Sequence, residues 1–281
     1  MSKIKITCDS TCDLTESLYR ENDVEVIPLS VTLGDQVYRD GVDVTSQQLF
    51  DYVTKTGTLP MTSAISVGEY LDVWRKYVED GYEVVHINIS SSLSTSHQNA
   101  CLAAKELGHV YVVDSQNLST GSGHLVLEAA RLGREEMEAP AIKEALDKMR
   151  EHLDASFVLQ TLDYLKKGGR CSSVTALGAR ALQLRPEIRV RDGGMVVGKK
   201  YRGNMEKSVL AYIRGRLEGR TDIDPTRIFI TYSSASDDLV EKAIALVKEL
   251  QPFKEIIVTH AGCTICSHCG PDCLGVLLLT K

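Results

Sequence analysis

The sequence predicts an α/β protein of two domains: an N-terminal, mainly parallel, Rossmann-like α/β domain, then a C-terminal α/β domain with a mixed, partly antiparallel sheet. Three observations carry this expectation. Strand and helix patterns alternate through the first half, and near residue 155 the texture changes and a hairpin signal enters. A chain of 281 residues, 43% hydrophobic and 25% charged, is also comfortable for two closely packed cores. The expected domains are residues 1–155 and 156–281, with no internal repeat and no low-complexity linker between them.

Residues 3–8 alternate as a first strand, 24–33 as a second, then 83–89 (apolar at 85, 87 and 89) and 110–114. Between these lie helical patterns. Val67, Tyr70, Leu71, Trp74, Tyr77 and Val78 keep the three-and-four spacing of one buried face, and Ala100, Ala103, Ala104 and Leu107 repeat it. Capping boxes mark helix starts at Asp13 with Glu16, Thr45 with Gln48, and Ser66 with Glu69. Past 155, residues 157–165 and 186–197 read as strands, the latter folding back at Asp192-Gly193-Gly194. Helices are expected over 204–217 and 235–250, and strands over 227–231, 255–259 and 275–280.

Net charge is −6, yet residues 156–227 hold 15 Lys and Arg against 7 Asp and Glu. Such a basic sector suits an acidic or phosphate-bearing partner, or is a set of solvated helix faces. Nucleic acid fits poorly, because no aromatics interleave the basic residues and the balance is acidic. No window reaches the ~18 apolar residues of a membrane span, so no integral membrane segment is expected. The first residues run into strand alternation without an apolar signal core, so the expected compartment is cytoplasmic, with reduced thiols.

Six hydroxyl residues fall within positions 90–96, between a strand and a helix. Hydroxyls beside the free N–H groups of a helix start suit a carboxylate or phosphate, although capping alone also favours Ser and Thr there. Thr62-Ser63 precedes another helix, and Asp9-Ser10-Thr11 and Asp114-Ser115 follow strands, so all belong to the edge where strand carboxyl ends converge. Two motifs fail on context. The phosphate-loop spacing Gly193 to Lys199 has Lys200 where Ser or Thr is needed, and Ser122 lacks the frame of a nucleophile elbow. Ser94 with His97 or His268 stays open as a serine-dependent acyl hydrolase or transferase pair. The run Cys263-x₂-Cys266-x₂-Cys269-x₃-Cys273 stays open as a metal site, although Leu274 stands where the iron–sulfur run has proline. The same segment also reads as a histidine turn, Ser267-His268-Cys269-Gly270-Pro271, before a final strand.

Several segments together resemble the DegV family, whose members include the fatty-acid-binding (FakB-type) subunits of bacterial fatty acid kinase. Asp9-Ser10-Thr11-Cys12-Asp13-Leu14 is similar to its opening loop and Ile27-Pro28-Leu29 to its second strand. Thr62-Ser63 stands in its Thr-Ser-Gln-Pro-Ser signature and Leu93-Ser94-Thr95-Ser96-His97-Gln98 in its Leu-Ser-Gly-Thr-Tyr-Gln. Leu162-x-Tyr164-Leu165-Lys166-Lys167-Gly168-Gly169-Arg170, Arg202-Gly203 and His268-Cys269-Gly270-Pro271 follow in order. Ala64-Ile65, Thr95, His97, Tyr232-Ser233 and Asp272 depart from the pattern.

The resemblance implies a non-catalytic carrier with a palmitate-like fatty acid at the domain interface and a role in lipid transport or fatty acid metabolism. Thr62, Ser63, Ser94 and His268 would surround the carboxylate. Arg170 and Arg202 would face a separate fatty acid kinase or the arriving phosphate. No metal and no cofactor beyond the bound lipid are implied. Burying ~14 methylenes at ~0.8 kcal/mol each yields on the order of 11 kcal/mol, from which association entropy and carboxylate desolvation subtract.

Overall fold

The computed structural model describes residues 3–175 and 184–281; Arg180 of the basic sector lies outside them. The chain runs β1 (Lys3–Asp9), α1 (Glu16–Glu21), β2 (Val24–Ile27), β3 (Ser30–Leu33), β4 (Gln36–Arg39), α2 (Ser46–Thr56), β5 (Met61–Ser63), α3 (Val67–Glu79) and β6 (Tyr82–Asn88). It continues through α4 (Ser96–Leu107), β7 (Val110–Asp114), α5 (Thr120–Arg134), α6 (Ala139–Met149), β8 (Leu153–Val158), α7 (Asp163–Gly168) and α8 (Ser172–Thr175). The remaining elements are β9 (Leu184–Arg191), β10 (Gly194–Arg202), α9 (Met205–Leu217), β11 (Ile223–Tyr232), α10 (Asp237–Leu250), β12 (Glu255–His260), α11 (Cys263–Cys269) and β13 (Leu274–Thr280).

The first sheet is the expected parallel one, in the order β2-β1-β6-β7. Its strands are buried on both faces, as parallel strands flanked by helices must be. Val84 and Val112 pack with Tyr70, Trp74, Ala100 and Ala103 of α3 and α4. Ile6, Val85, Ile87 and Val113 point the other way, toward α5 and α6. The boxes at Thr45–Gln48 and Ser66–Glu69 form as the sequence requires. The box at Asp13–Glu16 does not: Thr15 caps α1, and Asp13 is turned into left-handed backbone at φ 51°.

The second sheet is mixed, in the order β10-β9-β8-β13-β11-β12, antiparallel except between β11 and β12. One face carries α9 and α10 over Val158, Ile228, Ile230, Val276 and Leu278. The other turns Ala155, Phe157, Ile188, Val190, Phe229 and Leu277 into the same core as the first sheet. Helix α5 lies between the two, which is why it is buried nearly all round rather than along one stripe. His124 of α5 approaches Leu277 O at 3.1 Å, and Thr120 Oγ1 meets Thr231 Oγ1 at 2.6 Å. The hairpin β9–β10 turns through Asp192 (φ 49°) and Gly193 (φ 76°), the two positive φ values of a type I′ turn.

Two strand expectations are corrected. Residues 24–33 break at Pro28-Leu29 into β2 and β3, which enter different sheets. Residues 157–165 leave extended structure at Val158, and Asp163–Gly168 coils into α7. The sequence pattern also misses a third, small antiparallel sheet, β4-β3-β5. With α2 it packs Val31, Leu33, Leu49 and Phe50 against Tyr164, Cys263 and Cys266. That piece of the first half therefore leans on the last helix of the second.

Candidate functional site

The carboxyl ends of β6 and β7, the strand β5 and the inner face of the second sheet enclose one cavity of about 310 Å³. Its deep walls are apolar, with Leu118, Phe157, Leu165, Met195, Ile265 and Leu277. Its polar side collects hydroxyls: Thr62, Ser63, Ser91, Ser92, Ser94, Thr95 and Ser119. Thr62, Ser63, Ser94, His268 and Arg170, named from the sequence, all line it. Arg202 does not; it sits exposed at the end of β10. The sequence grouped the two arginines, and the structure separates them.

Thr62 Oγ1 and His268 Nε2 lie 2.8 Å apart, across 206 residues of chain. His268 rides on α11, and the start of that helix is gripped by carboxylates of the first half. Gly262 N donates to Asp13 Oδ1 at 2.8 Å, while Cys263 N and Thr264 N donate to Asp40 Oδ1 and Oδ2 at 2.7 and 3.1 Å. Four N–H groups at a helix start lack intrahelical partners, and a carboxylate satisfies them while matching the helix dipole. Ser119 Oγ and Ser10 Oγ hold the same two carboxylates from behind, donating to Asp13 Oδ2 at 2.5 Å and Asp40 Oδ2 at 3.0 Å. Burial lifts the Asp13 carboxyl well above the usual range, against the pull of those donors.

The imidazole of His268 is partly buried on the cavity wall. Burial, with the Arg170 charge nearby, lowers its pKa to about 4, so the ring is neutral at pH 7. Among the described residues its Nδ1 has no hydrogen-bond partner, and neither does Thr264 Oγ1 on the cavity wall. Arg170 is tied by backbone carbonyls, Nη1 donating to Gly168 O at 2.6 Å and Nε to Leu93 O at 3.4 Å.

The serine loop is more than a cap. Thr95 precedes α4 in helical backbone with no side-chain capping bond. Ser94 Oγ instead meets Ser96 Oγ at 2.9 Å and accepts from Ser96 N at 3.1 Å, which leaves it at the cavity edge. Ser90 Oγ donates to Gly193 O at 2.6 Å, fastening the hairpin tip over the same loop.

Among the described residues Ser94 Oγ bonds to Ser96 and to no histidine. His268 pairs with Thr62, His97 Nε2 lies 3.5 Å from Cys101 Sγ, and the His268 Nδ1 that an acid would orient has no partner among the described residues. The C-terminal cysteines, expected as a turn or a ligand set, are placed along α11 and just beyond it. Cys263 Sγ and Cys266 Sγ donate to Val44 O and Ala261 O, each at 3.3 Å. Among the described residues no group of three or more His, Cys, Asp and Glu side chains is arranged to hold a metal ion. Sequence reasoning missed Asp13, Asp40, Ser119 and Thr264 as parts of the site. Only Asp13 carried any signal, through its place in the loop after β1.

The class the fold and cavity define is a two-domain α/β protein, a parallel-sheet domain joined to a mixed-sheet domain around an apolar cavity headed by hydroxyls and a neutral histidine. The chain belongs to the DegV family: residues 3–281 match the family described as "Uncharacterised protein, DegV family". A DegV domain-containing protein of Clostridium acetobutylicum is 32% identical over 283 residues, covering 100% of both chains. Among solved structures, a DegV family protein of Thermus thermophilus described for fatty acid binding is 33% identical, with a TM-score of 0.89 over 100% of each chain. A stearic-acid-binding protein of Eubacterium ventriosum is 26% identical, with a TM-score of 0.86 over 100% of this chain and 99% of its own. A Thermotoga maritima protein described as revealing a fatty acid binding function is 25% identical, with a TM-score of 0.86 over 100% of each chain.

Proposed function

We propose that this protein binds a long-chain fatty acid, with its carboxylate at Thr62, Ser63, Ser94 and His268 and its acyl chain in the cavity between the sheets. The observation that carries the reading is the Thr62–His268 pair, a hydroxyl and a neutral ring at the polar side of an apolar cavity. A buried carboxylate needs donors, and hydroxyls with an imidazole supply them without a fixed salt bridge, which suits release as well as capture. Fatty acid binding by the Thermus, Thermotoga and Eubacterium relatives supports it. Mass spectrometry under gentle conditions tests it, on protein purified and on protein delipidated and then offered palmitate. A bound mass of one fatty acid is expected. A protein that stays ligand-free under excess palmitate would sink the reading.

In this reading the protein is a carrier with no catalytic residue, and it presents the carboxylate to a separate fatty acid kinase. Arg202 sits outside the cavity, on the basic hairpin beside it, where a partner or an arriving phosphate would meet it. The basic balance of residues 156–227 supports a docking face of this kind.

A further inference from the structure

The polar groups of the cavity do not all gather at Thr62 and His268. A second set lies at the carboxyl end of β11, where Thr231 and, just past the strand, Ser233 both line the cavity. Strand register places it. Thr231 pairs with Gly275 of β13, and Gly275 pairs with Phe157 of β8, so the three form one row across the sheet. Neighbouring strands are about 4.8 Å apart, so Thr231 stands roughly 10 Å from Phe157 across the gap that Gly275 leaves. The row is apolar on the Phe157 side and bears a hydroxyl on the other. Ala261 N donates to Tyr232 O at 2.9 Å, which ties the approach to α11, and with it Thr264, to the end of β11.

The hydroxyls of this second set have bonding capacity left over. Thr231 Oγ1 lies between Thr120 Oγ1 at 2.6 Å and Thr259 Oγ1 at 2.9 Å, and these two bonds engage only two of the three hydroxyl protons. Ser233 Oγ accepts from Cys273 N at 3.0 Å, and among the described residues its own proton has no acceptor. Thr264 Oγ1, also on the cavity wall, has no partner among the described residues. Thr231 is 6%, Ser233 4% and Thr264 3% exposed, so all three are withdrawn from bulk water. Buried hydroxyls normally find partners, and three with capacity to spare on one wall point to a partner carried by the ligand. That partner is a neutral group: Thr264 N already donates to the Asp40 carboxylate, whose charge would repel a second carboxylate at this end.

We propose that the cavity is built for a long-chain hydroxy fatty acid, with the carboxylate at Thr62 and His268 and a mid-chain hydroxyl at Thr231, Ser233 and Thr264. The inference rests on the fatty-acid reading of the cavity and narrows its ligand class. A hydroxyl on the acyl chain accepts a spare proton from Thr231 or Ser233 and donates to Thr264 Oγ1. A site that hydrogen-bonds a ligand hydroxyl discriminates against the chain lacking it, because the site's own polar groups are then left unpaired. A wholly apolar cavity ranks the two ligands the other way, since the unpaired group is then the ligand's hydroxyl. Tyr232-Ser233 is a place where this sequence departs from the DegV pattern, so the preference is expected of this chain rather than of the family at large.

The test titrates the delipidated full chain with stearate, 10-hydroxystearate and 12-hydroxystearate, by displacement of a fluorescent fatty acid. The expected result is that one of the two hydroxy acids binds about tenfold tighter than stearate. Ser233→Ala and Thr231→Val bring that ratio toward one, chiefly by weakening the hydroxy acid. The ratio in the unsubstituted protein decides the matter even if Thr231→Val, which breaks the bonds to Thr120 and Thr259, fails to fold. Stearate binding as tightly as both hydroxy acids, or tighter, would overturn this proposal alone. A preference that survives both substitutions, or substitutions that weaken stearate equally, would overturn it too. Binding of none of the three lipids would overturn the fatty-acid reading with it.

Discussion

Gly168 and His268 stand so close that a Cβ on the glycine would lie 2.1 Å from Nδ1 of the imidazole. The last residue of α7 thus sets the position of the ring from behind, while Thr62 meets it in front. Gly168→Ala must displace the imidazole, since the added methyl would occupy the space its Nδ1 edge now fills. The expected outcome is a fold that survives and a fatty acid affinity weaker by about tenfold, about 1.4 kcal/mol. Displacement of a fluorescent fatty acid by palmitate measures it; an unchanged affinity would remove His268 from the head-group site.

Thr62→Ala and Ser94→Ala each take one hydroxyl donor from the carboxylate. A hydrogen bond to a charged group contributes about 1.5–3 kcal/mol, so each change is expected to weaken binding by at least about tenfold. Isothermal titration against palmitate checks it. Loss in neither variant would move the carboxylate elsewhere in the cavity.

Arg202→Ala is expected to leave palmitate affinity alone and to lower acyl phosphate formation by a partner kinase. Arg170→Ala is expected to change both, because Arg170 lines the cavity beside His268 and its charge acts on that ring. The two measurements on the two variants form the check. Acyl phosphate formed at the normal rate from lipid on the Arg202→Ala protein would clear that residue of a docking role.

Burial holds the pKa of His124 at about 4, below the ordinary value near 6.5. The unfolded chain binds its proton first as pH falls, so His124 contributes stability that is present above pH 6.5 and lost down to pH 4. The stability difference between wild type and His124→Gln should therefore shrink over that window, by about 1.4 kcal/mol per pH unit. Asp9 and Asp13, lifted by burial, run the opposite way but are common to both proteins and cancel. Urea titrations at several pH values test the slope; a constant difference would mean His124 is not buried in its neutral form.

Gly275 on β13 leaves no space for a side chain: a Cβ would stand 2.8 Å from Ser156 O and 3.0 Å from the Phe157 Cβ. Gly275→Ala is expected to cost about 1–3 kcal/mol of stability through overpacking. It should also shift the retained lipid toward shorter chains, since Gly275 and Phe157 both line the cavity. Denaturant unfolding and the masses of co-purified fatty acids report the two effects.

The parallel sheet was legible because its helices bury single faces, so Val67 to Val78 announce both element and orientation. The hairpin was legible because Asp192-Gly193 meets the φ demands of one turn type. Helix α5 sends no such signal: held between two sheets, it is buried on most sides and loses its stripe. Thr62, Ser94 and His268 were found by motif rather than by periodicity, and the structure brings them to one cavity. The clamp on α11 stayed hidden for a different reason. Asp13 and Gly262 are 249 residues apart, and Asp40 and Cys263 are 223, with nothing local to tie either pair. The local capping rule even misassigned Asp13, whose carboxylate serves a helix in the other half of the chain.

The cavity lies between the carboxyl edge of the first sheet and the inner face of the second. Whatever fills it is thereby core material supplied from outside the chain. A ligand present at a hundred times its dissociation constant adds about 2.7 kcal/mol to the unfolding free energy. For a marginally stable protein that moves the unfolded fraction seen by proteases by about a hundredfold. The lifetime of the protein in a cell would then follow its lipid supply, so that an unloaded carrier is also a short-lived one.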